Sequence, residues 1–180
     1  MRSTVLALSL AFLGPVAAHA DGLSEARAGK LQCYEPNLAN RTCHGLFKIV
    51  IKADGSATSG GDVLLNVLNG SSVLVMRTPQ SAATVTGNST CSVARKSDIE
   101  GSVFLLDGKP VNAESDRRIK DDMETRQAAS FGTTECSIYT VAKPGVYQVT
   151  ETVNGKPQPV GSHIVGMIWV NPSEGYKIGP

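Results

Sequence analysis

The sequence has little of what chemistry at a protein surface most often uses. It carries three histidines, one tryptophan and only 5% aromatic residues in 180 positions. His19 lies in an apolar N-terminal stretch that reads as a removable leader, so His44 and His163 are the histidines left for function. Nucleophilic catalysis needs a nucleophile, a base and a group that orients the base, and two histidines leave little room for a triad. The lipase elbow G-x-S-x-G is absent. Ser59-Gly60-Gly61-Asp62 holds the residues of a serine-protease loop in the wrong order, and His44 beside Cys43 is not that family's arrangement. Ser162 and His163 are adjacent, and neighbouring side chains on a strand point to opposite faces.

Other absences are equally informative. No C-x-x-C pair occurs, which removes the usual dithiol redox site and the paired-cysteine zinc site. C-type haem attachment needs C-x-x-C-H; Cys43-His44 supplies the end, but Asn40 stands where the first cysteine belongs. The glycine-bearing stretches GNSTC and DGSATSGG lack the Lys-Ser/Thr ending of a phosphate loop. No cofactor is therefore expected. Charge excess is missing too. With 17 basic and 16 acidic residues, loss of a leader containing Arg2 leaves the balance at zero. Nothing predicts attraction to nucleic acid or to an anionic membrane. Beyond the leader, no apolar run reaches the roughly 18 residues of a membrane span.

What is present begins with that leader. Arg2, the apolar run Val5 to Leu13 and Ala18-His19-Ala20 have the layout of a secretory signal peptide cleaved after Ala20. Residues 21–180 then form one domain of ordinary size. Four cysteines, Cys33, Cys43, Cys91 and Cys136, survive cleavage, and an even count in an exported chain reads as two disulfides. Three connectivities are open; the favoured one joins Cys33 to Cys43, closing a short Pro/Asn-rich loop, and Cys91 to Cys136, tying distant segments. Chain-entropy arguments give about 3 and about 4 kcal/mol for these two closures.

The mature start, DGLSEARAGKLQ, is either a short helix capped by Asp21 or Ser24 or a flexible lead-in. From His44 onward the pattern is β. In LFKIVIK, Phe47, Ile49 and Ile51 take one face and Lys48 and Lys52 the other. Turns are marked at Ala53–Ser56, Asn69-Gly70, Gly87-Asn88, Asp107-Gly108 and Lys143-Pro144-Gly145. Ser97-Asp98-Ile99-Glu100 has the form of a capping box with room for a single helical turn. One longer helix is expected near 113–130, with Asn112 as N-cap, Gly132 just past its end, and pairs Asp116–Lys120 and Asp122–Arg126. On VYQVTETV, Tyr147, Val149 and Val153 share a face. HIVGMIWV reads as a central strand buried on both faces, with Gly166 marking a bulge or a close backbone approach. The expected class is α+β, mainly antiparallel β, as a sandwich-like domain or a partly open barrel, with one surface helix.

Three N-x-S/T sequons, at Asn40, Asn69 and Asn88, fall in loops and read as turn chemistry. Sixteen acids allow a carboxylate pair of the kind hydrolases use; Asp98 with Glu100 is the nearest local pair, and is read as capping. LQCYEPN, RTCHGLFKIVIKADG and IWVNPSEGYKIGP together resemble small exported proteins of alphaproteobacteria that carry no assigned activity. The likeness rests on the cysteine loop and the Trp-Val-x-Pro-x-x-Gly-Tyr tail. It implies periplasmic export, supports the Cys33–Cys43 pairing and brings no catalytic residue.

The function expected is that of an exported, non-catalytic binding domain of the cell envelope, whose partner is an envelope protein, a peptide or a glycan, by strand addition at an exposed edge among other modes. Two alternatives stand beside it. One is an exported hydrolase inhibitor presenting Tyr34, Glu35, Pro36 and Asn37 on the stapled loop; the other is a carboxylate-dependent hydrolase.

Overall fold

The structure, a computed structural model, describes residues 22–158 and 164–180. The leader, Asp21 and the Ser162-His163 pair lie outside the described residues. No helix among those described is long and apolar enough to cross a membrane.

Eight antiparallel strands meander in chain order around a closed barrel. They are β1 (Leu31–Tyr34), β3 (Gly45–Ile51), β4 (Ser56–Leu68), β6 (Ser81–Thr86), β7 (Ser89–Val93), β10 (Thr134–Lys143), β11 (Val146–Val153) and β13 (Ile164–Val170). Between them come β2 (Thr42–Cys43), β5 (Ser72–Arg77), β8 (Val103–Leu106), β9 (Lys109–Pro110) and β12 (Lys156–Pro157), with β14 (Lys177–Ile178) at the end. The pairing of β1 with β13, from Leu31 opposite Val170 to Tyr34 opposite Met167, joins the first barrel strand to the last, and β3 and β4 pair as a hairpin from Gly45 opposite Val63 to Ile51 opposite Ala57. The expected β-rich α+β class is what forms, and of the arrangements considered it is the barrel, closed rather than partly open.

β4 serves two sheets. Its first residues pair with β6 (Ser56 to Ser59) and its later ones with β5 (Asp62 to Leu68), with a bulge between Leu64 and Asn66. Gly60 and Gly61 are the crossing point, where Thr78 donates its backbone N–H to Gly61 O at 2.8 Å. A Cβ on Gly61 would stand 2.2 Å from Leu46 O, and one on Gly60 2.3 Å from Pro79 O. Close backbone approach therefore falls here. At Gly166 a Cβ would meet nothing within 4 Å, and the β11–β13 register runs unbroken through it, so the expected bulge or close approach is corrected.

The outer half of β4 continues through β5 and β8 to β9 as a side sheet. Two helices cover it, α2 (Lys96–Glu100) and α3 (Ala113–Gln127), with Ile99, Phe104 and Met123 buried together. Asn112 accepts the Ser115 N–H at 2.9 Å as the expected N-cap, and both expected i,i+4 ion pairs form on α3. The capping box at Ser97 does not form. Arg95 occupies the N-cap position without a side-chain bond, and Asp98 Oδ1 instead accepts the Ser81 hydroxyl at 2.5 Å.

Both favoured disulfides form, and no described cysteine is free. Cys91 and Cys136 are opposed in register on β7 and β10, at the neck from which residues 94–133 leave the barrel. Cys33 and Cys43 are fully buried on the outer side of the wall with Val170, Leu31, Ile168 and Tyr176. Over them the chain end pairs in parallel, Lys177–Ile178 with Thr42–Cys43. The cysteine loop and the Trp-to-Tyr tail, distant in sequence, thus pack as one unit. Residues 167–170 of β13 are enclosed as expected, with Met167 against the barrel core and Val170 against the staple.

Candidate functional site

Period-two alternation decides what enters a barrel. From the registers, the inward set on β10 is Glu135, Ser137 and Tyr139, facing Val153, Glu151 and Val149 on β11. β1 contributes Gln32 and Tyr34, opposite Trp169 and Met167 on β13. β7 contributes Thr90, opposite Ser137. Polarity divides this interior into two halves.

One half is packed and apolar. Ile49, Ala57, Ala83, Tyr147, Val149 and Met167 pack there with Leu23 and Ala26. The last two come from the lead-in, where α1 (Ser24–Arg27) closes this end as a plug. Asn88 fastens the plug: its Oδ1 accepts the Gly22 N–H at 2.6 Å, and its Nδ2 donates to Tyr139 O. The lead-in is thus structural. A depression of about 1070 Å³ lies outside this end, between Arg27, Lys52 and Val141. Its lining has no carboxylate, and nothing in it is both buried and unpartnered.

The other half holds a cavity of about 760 Å³ lined by Gln32, Tyr34, Ser59, Thr90, Glu135 and Glu151 among others. That volume suits one small ligand, as eight-stranded barrels accommodate. Tyr139 and Thr90 share a hydroxyl–hydroxyl bond at 2.8 Å at its base. The Tyr34 ring packs edge-on to Phe47, with centroids 5.8 Å apart. Gln32 is 2% exposed, and its Nε2 has no hydrogen-bond partner. A buried donor left unsatisfied costs about 1–3 kcal/mol, so this amide is a place where a ligand atom gains most. Trp169 Nε1 is also unpartnered, with its ring tilted against Tyr139 in the apolar half.

The carboxylates are diagonal cross-strand neighbours. Glu135 stands opposite Val153, and Glu151 opposite Ser137, two residues along, within reach of long side chains. Burial, then the Glu151 charge, pushes the Glu135 carboxyl above its ordinary range. Burial also holds the Tyr34 phenol well above its usual value, helped by Tyr139 and Glu151 and opposed by the nearby Gln32 side chain, whose Nε2 makes no hydrogen bond of good geometry. Desolvation and like charge act in the same direction, each disfavouring the ionised form.

The stapled loop forms part of the rim. Tyr34 points inward and, with Glu35 and His44, lines the cavity; His44 Nδ1 lies 3.5 Å from Glu35. Pro36 and Asn37 continue the loop, where Asn37 bridges to Thr42 through backbone bonds of 2.8 and 3.1 Å. Leu38 at its tip is 66% exposed. His44 does not begin the following strand as expected: it is a bend, and β3 starts at Gly45.

Asp98 and Glu100 are not brought to the mouth. Glu100 is held by Lys96 at 3.3 Å on α2. Among the described residues no three His, Cys, Asp or Glu side chains converge as metal ligands. The sequence reading missed Gln32, Glu135 and Glu151. A signal existed for Glu151, which interrupts the inward series Tyr147, Val149, Val153. An acid on a face that alternation marks as buried is the local inconsistency that functional sites carry. No family model, no curated protein and no solved structure matches this chain.

Proposed function

We propose that this chain is an exported binding domain of the cell envelope that takes its ligand into the open half of the barrel. The observation that carries the reading is the cavity of about 760 Å³ with a buried, unpartnered Gln32 amide and two neighbouring carboxylates, above a plugged apolar half. A packed lower half makes the mouth rigid, so binding orders little of the protein. Two disulfides fit an oxidising compartment, and the leader points to the periplasm. The ligand is a small envelope component, such as a glycan or peptide fragment or the exposed end of a larger partner.

The test is a thermal-shift screen of envelope glycans and peptides against the wild-type protein and Ser137→Trp, which fills the mouth. A ligand at a hundred times its Kd adds about 2.7 kcal/mol, a rise in Tm of several degrees. The reading expects such rises in the wild type and their loss in Ser137→Trp. Rises of equal size in both proteins, or none in the wild type, would overturn it.

A second reading, carboxylate-dependent hydrolysis, draws on Glu135. A carboxyl whose proton affinity is raised by burial beside a second carboxyl group is an arrangement general acids use. Turnover of a library member, abolished by both Glu135→Gln and Glu151→Gln in folded protein, would establish it. Binding without turnover removes it.

A further inference from the structure

Carboxylates predominate around the mouth among the described residues. The ionisable side chains lining the cavity are Glu35, Glu135, Glu151, His44 and two tyrosines, with no lysine or arginine among the described residues. Glu35 has His44 beside it, whereas Glu135 has no cation in ion-pair range among the described residues. Its nearest charged neighbour of note is a second carboxylate. Deeper in, Gln32 is nine-tenths buried and more, lines the same cavity, and its Nε2 has no hydrogen-bond partner. Among the described residues, then, no lysine or arginine stands at Glu135, and the Gln32 Nε2 at the base has no hydrogen-bond partner.

We propose, building on the cavity-binding reading above, that the ligand is a small organic ammonium compound that also carries oxygen acceptors, its cation set against Glu135 and an oxygen against the Gln32 amide. An ammonium group at Glu135 relieves the Glu135–Glu151 repulsion and gains charge-assisted hydrogen bonds. The Tyr34 and Phe47 rings offer an aromatic wall that an ammonium also favours. An anionic ligand meets the Glu135 carboxylate with no cation beside it among the described residues. A neutral one leaves the repulsion in place.

Calorimetry at low ionic strength tests this on the oxidised mature protein. The probes are glucosamine, ethanolamine, putrescine, N-acetylglucosamine and glucuronate. The expected order places the oxygen-bearing amines first, putrescine weaker for want of an acceptor, and the neutral and anionic sugars at least about tenfold weaker than glucosamine. Salt weakens the amines. Glu135→Gln lowers amine affinity about tenfold or more while leaving the fold at least as stable, and Gln32→Leu lowers affinity for glucosamine more than for putrescine. Glu135→Lys, which places a cation in the site, abolishes amine binding. If N-acetylglucosamine or glucuronate binds as tightly as glucosamine, the ammonium inference falls and the cavity reading stands. Amine affinity unchanged in Glu135→Gln has the same meaning. If no probe binds and the screen of envelope components also finds nothing, both fall.

Discussion

Gly61→Ala is the sharpest test of how closely the barrel wall packs where the side sheet leaves it. Gly61 sits on β4 opposite Phe47 of β3, in the hairpin these two strands form. An added Cβ would lie 2.2 Å from Leu46 O and 2.6 Å from Phe47 Cα. Both are backbone atoms, so no side chain can turn aside. Relief requires β3 and β4 to separate by about an ångström where Thr78 is also bonded to Gly61. Overpacking of this kind costs about 1–3 kcal/mol, and the upper part of that range applies when backbone must move. Reduced freedom of the unfolded chain returns about 0.4–1 kcal/mol. The expected net loss is about 1–2.5 kcal/mol, or roughly 3–8 °C in Tm for a chain of this size. Urea unfolding of the oxidised protein measures it, with Gly166→Ala as the control. Gly166 meets nothing within 4 Å and has no positive φ, so its change should stay within about 0.5 kcal/mol. Equal stability of Gly61→Ala and wild type, or equal damage from Gly166→Ala, would show that the close approach at β3–β4 is not what fixes glycine there.

Three further outcomes follow from the same geometry. Replacing Cys91 and Cys136 together by alanine should lower stability by up to about 4 kcal/mol, measured by denaturation, and should raise amide exchange in residues 94–133 more than in β3 or β13. Leu23→Ala, which empties a fully buried position in the plug, should cost about 2–4 kcal/mol by the same measurement; a loss below about 1 kcal/mol would mean that the plug does not hold the apolar half together. Glu135→Gln should be stabilising at pH 7 and near neutral at pH 4. Burial and Glu151 raise the folded carboxyl above its unfolded value, so the folded state binds the proton more tightly and loses stability as pH rises through that window. The gain is small because the side chain is more than one third exposed; a loss of stability at pH 7 would contradict the sign.

Local chemistry was legible in the sequence, and closure was not. The turns at Asn69-Gly70, Asp107-Gly108 and Pro144-Gly145 fall where expected because the left-handed backbone at Asn69, Gly70, Asp107, Gly108 and Gly145, and the fixed φ of proline before Gly145, are properties of the residues themselves. The helix after Asn112 is equally local. The barrel closes through the pairing of β1 with β13, which spans most of the chain, and no short pattern encodes which ends meet. The same holds for the site. Glu135 and Glu151 are two acids among sixteen, and only register makes them neighbours. The stapled loop was picked out for its cysteines, yet its contribution to the mouth is through Tyr34 and Glu35, because Cys33 faces outward and the next residue must face in.

The side sheet carries a consequence of another kind. A closed barrel has no free strand, but the sheet that leaves it has two margins, the outer half of β4 and the two-residue β9. Each is interrupted. The first is bent by the bulge between Leu64 and Asn66, and the second ends in Lys109-Pro110, a charge and a residue without an N–H. Exposed leucines at 65, 68 and 106 would otherwise sit beside inviting hydrogen-bonding edges, the combination from which fibrils grow. Strand addition, one of the partner modes considered from sequence, is thus discouraged at both margins by one bulge and one proline, while a formal net charge of only +1 adds little repulsion between copies.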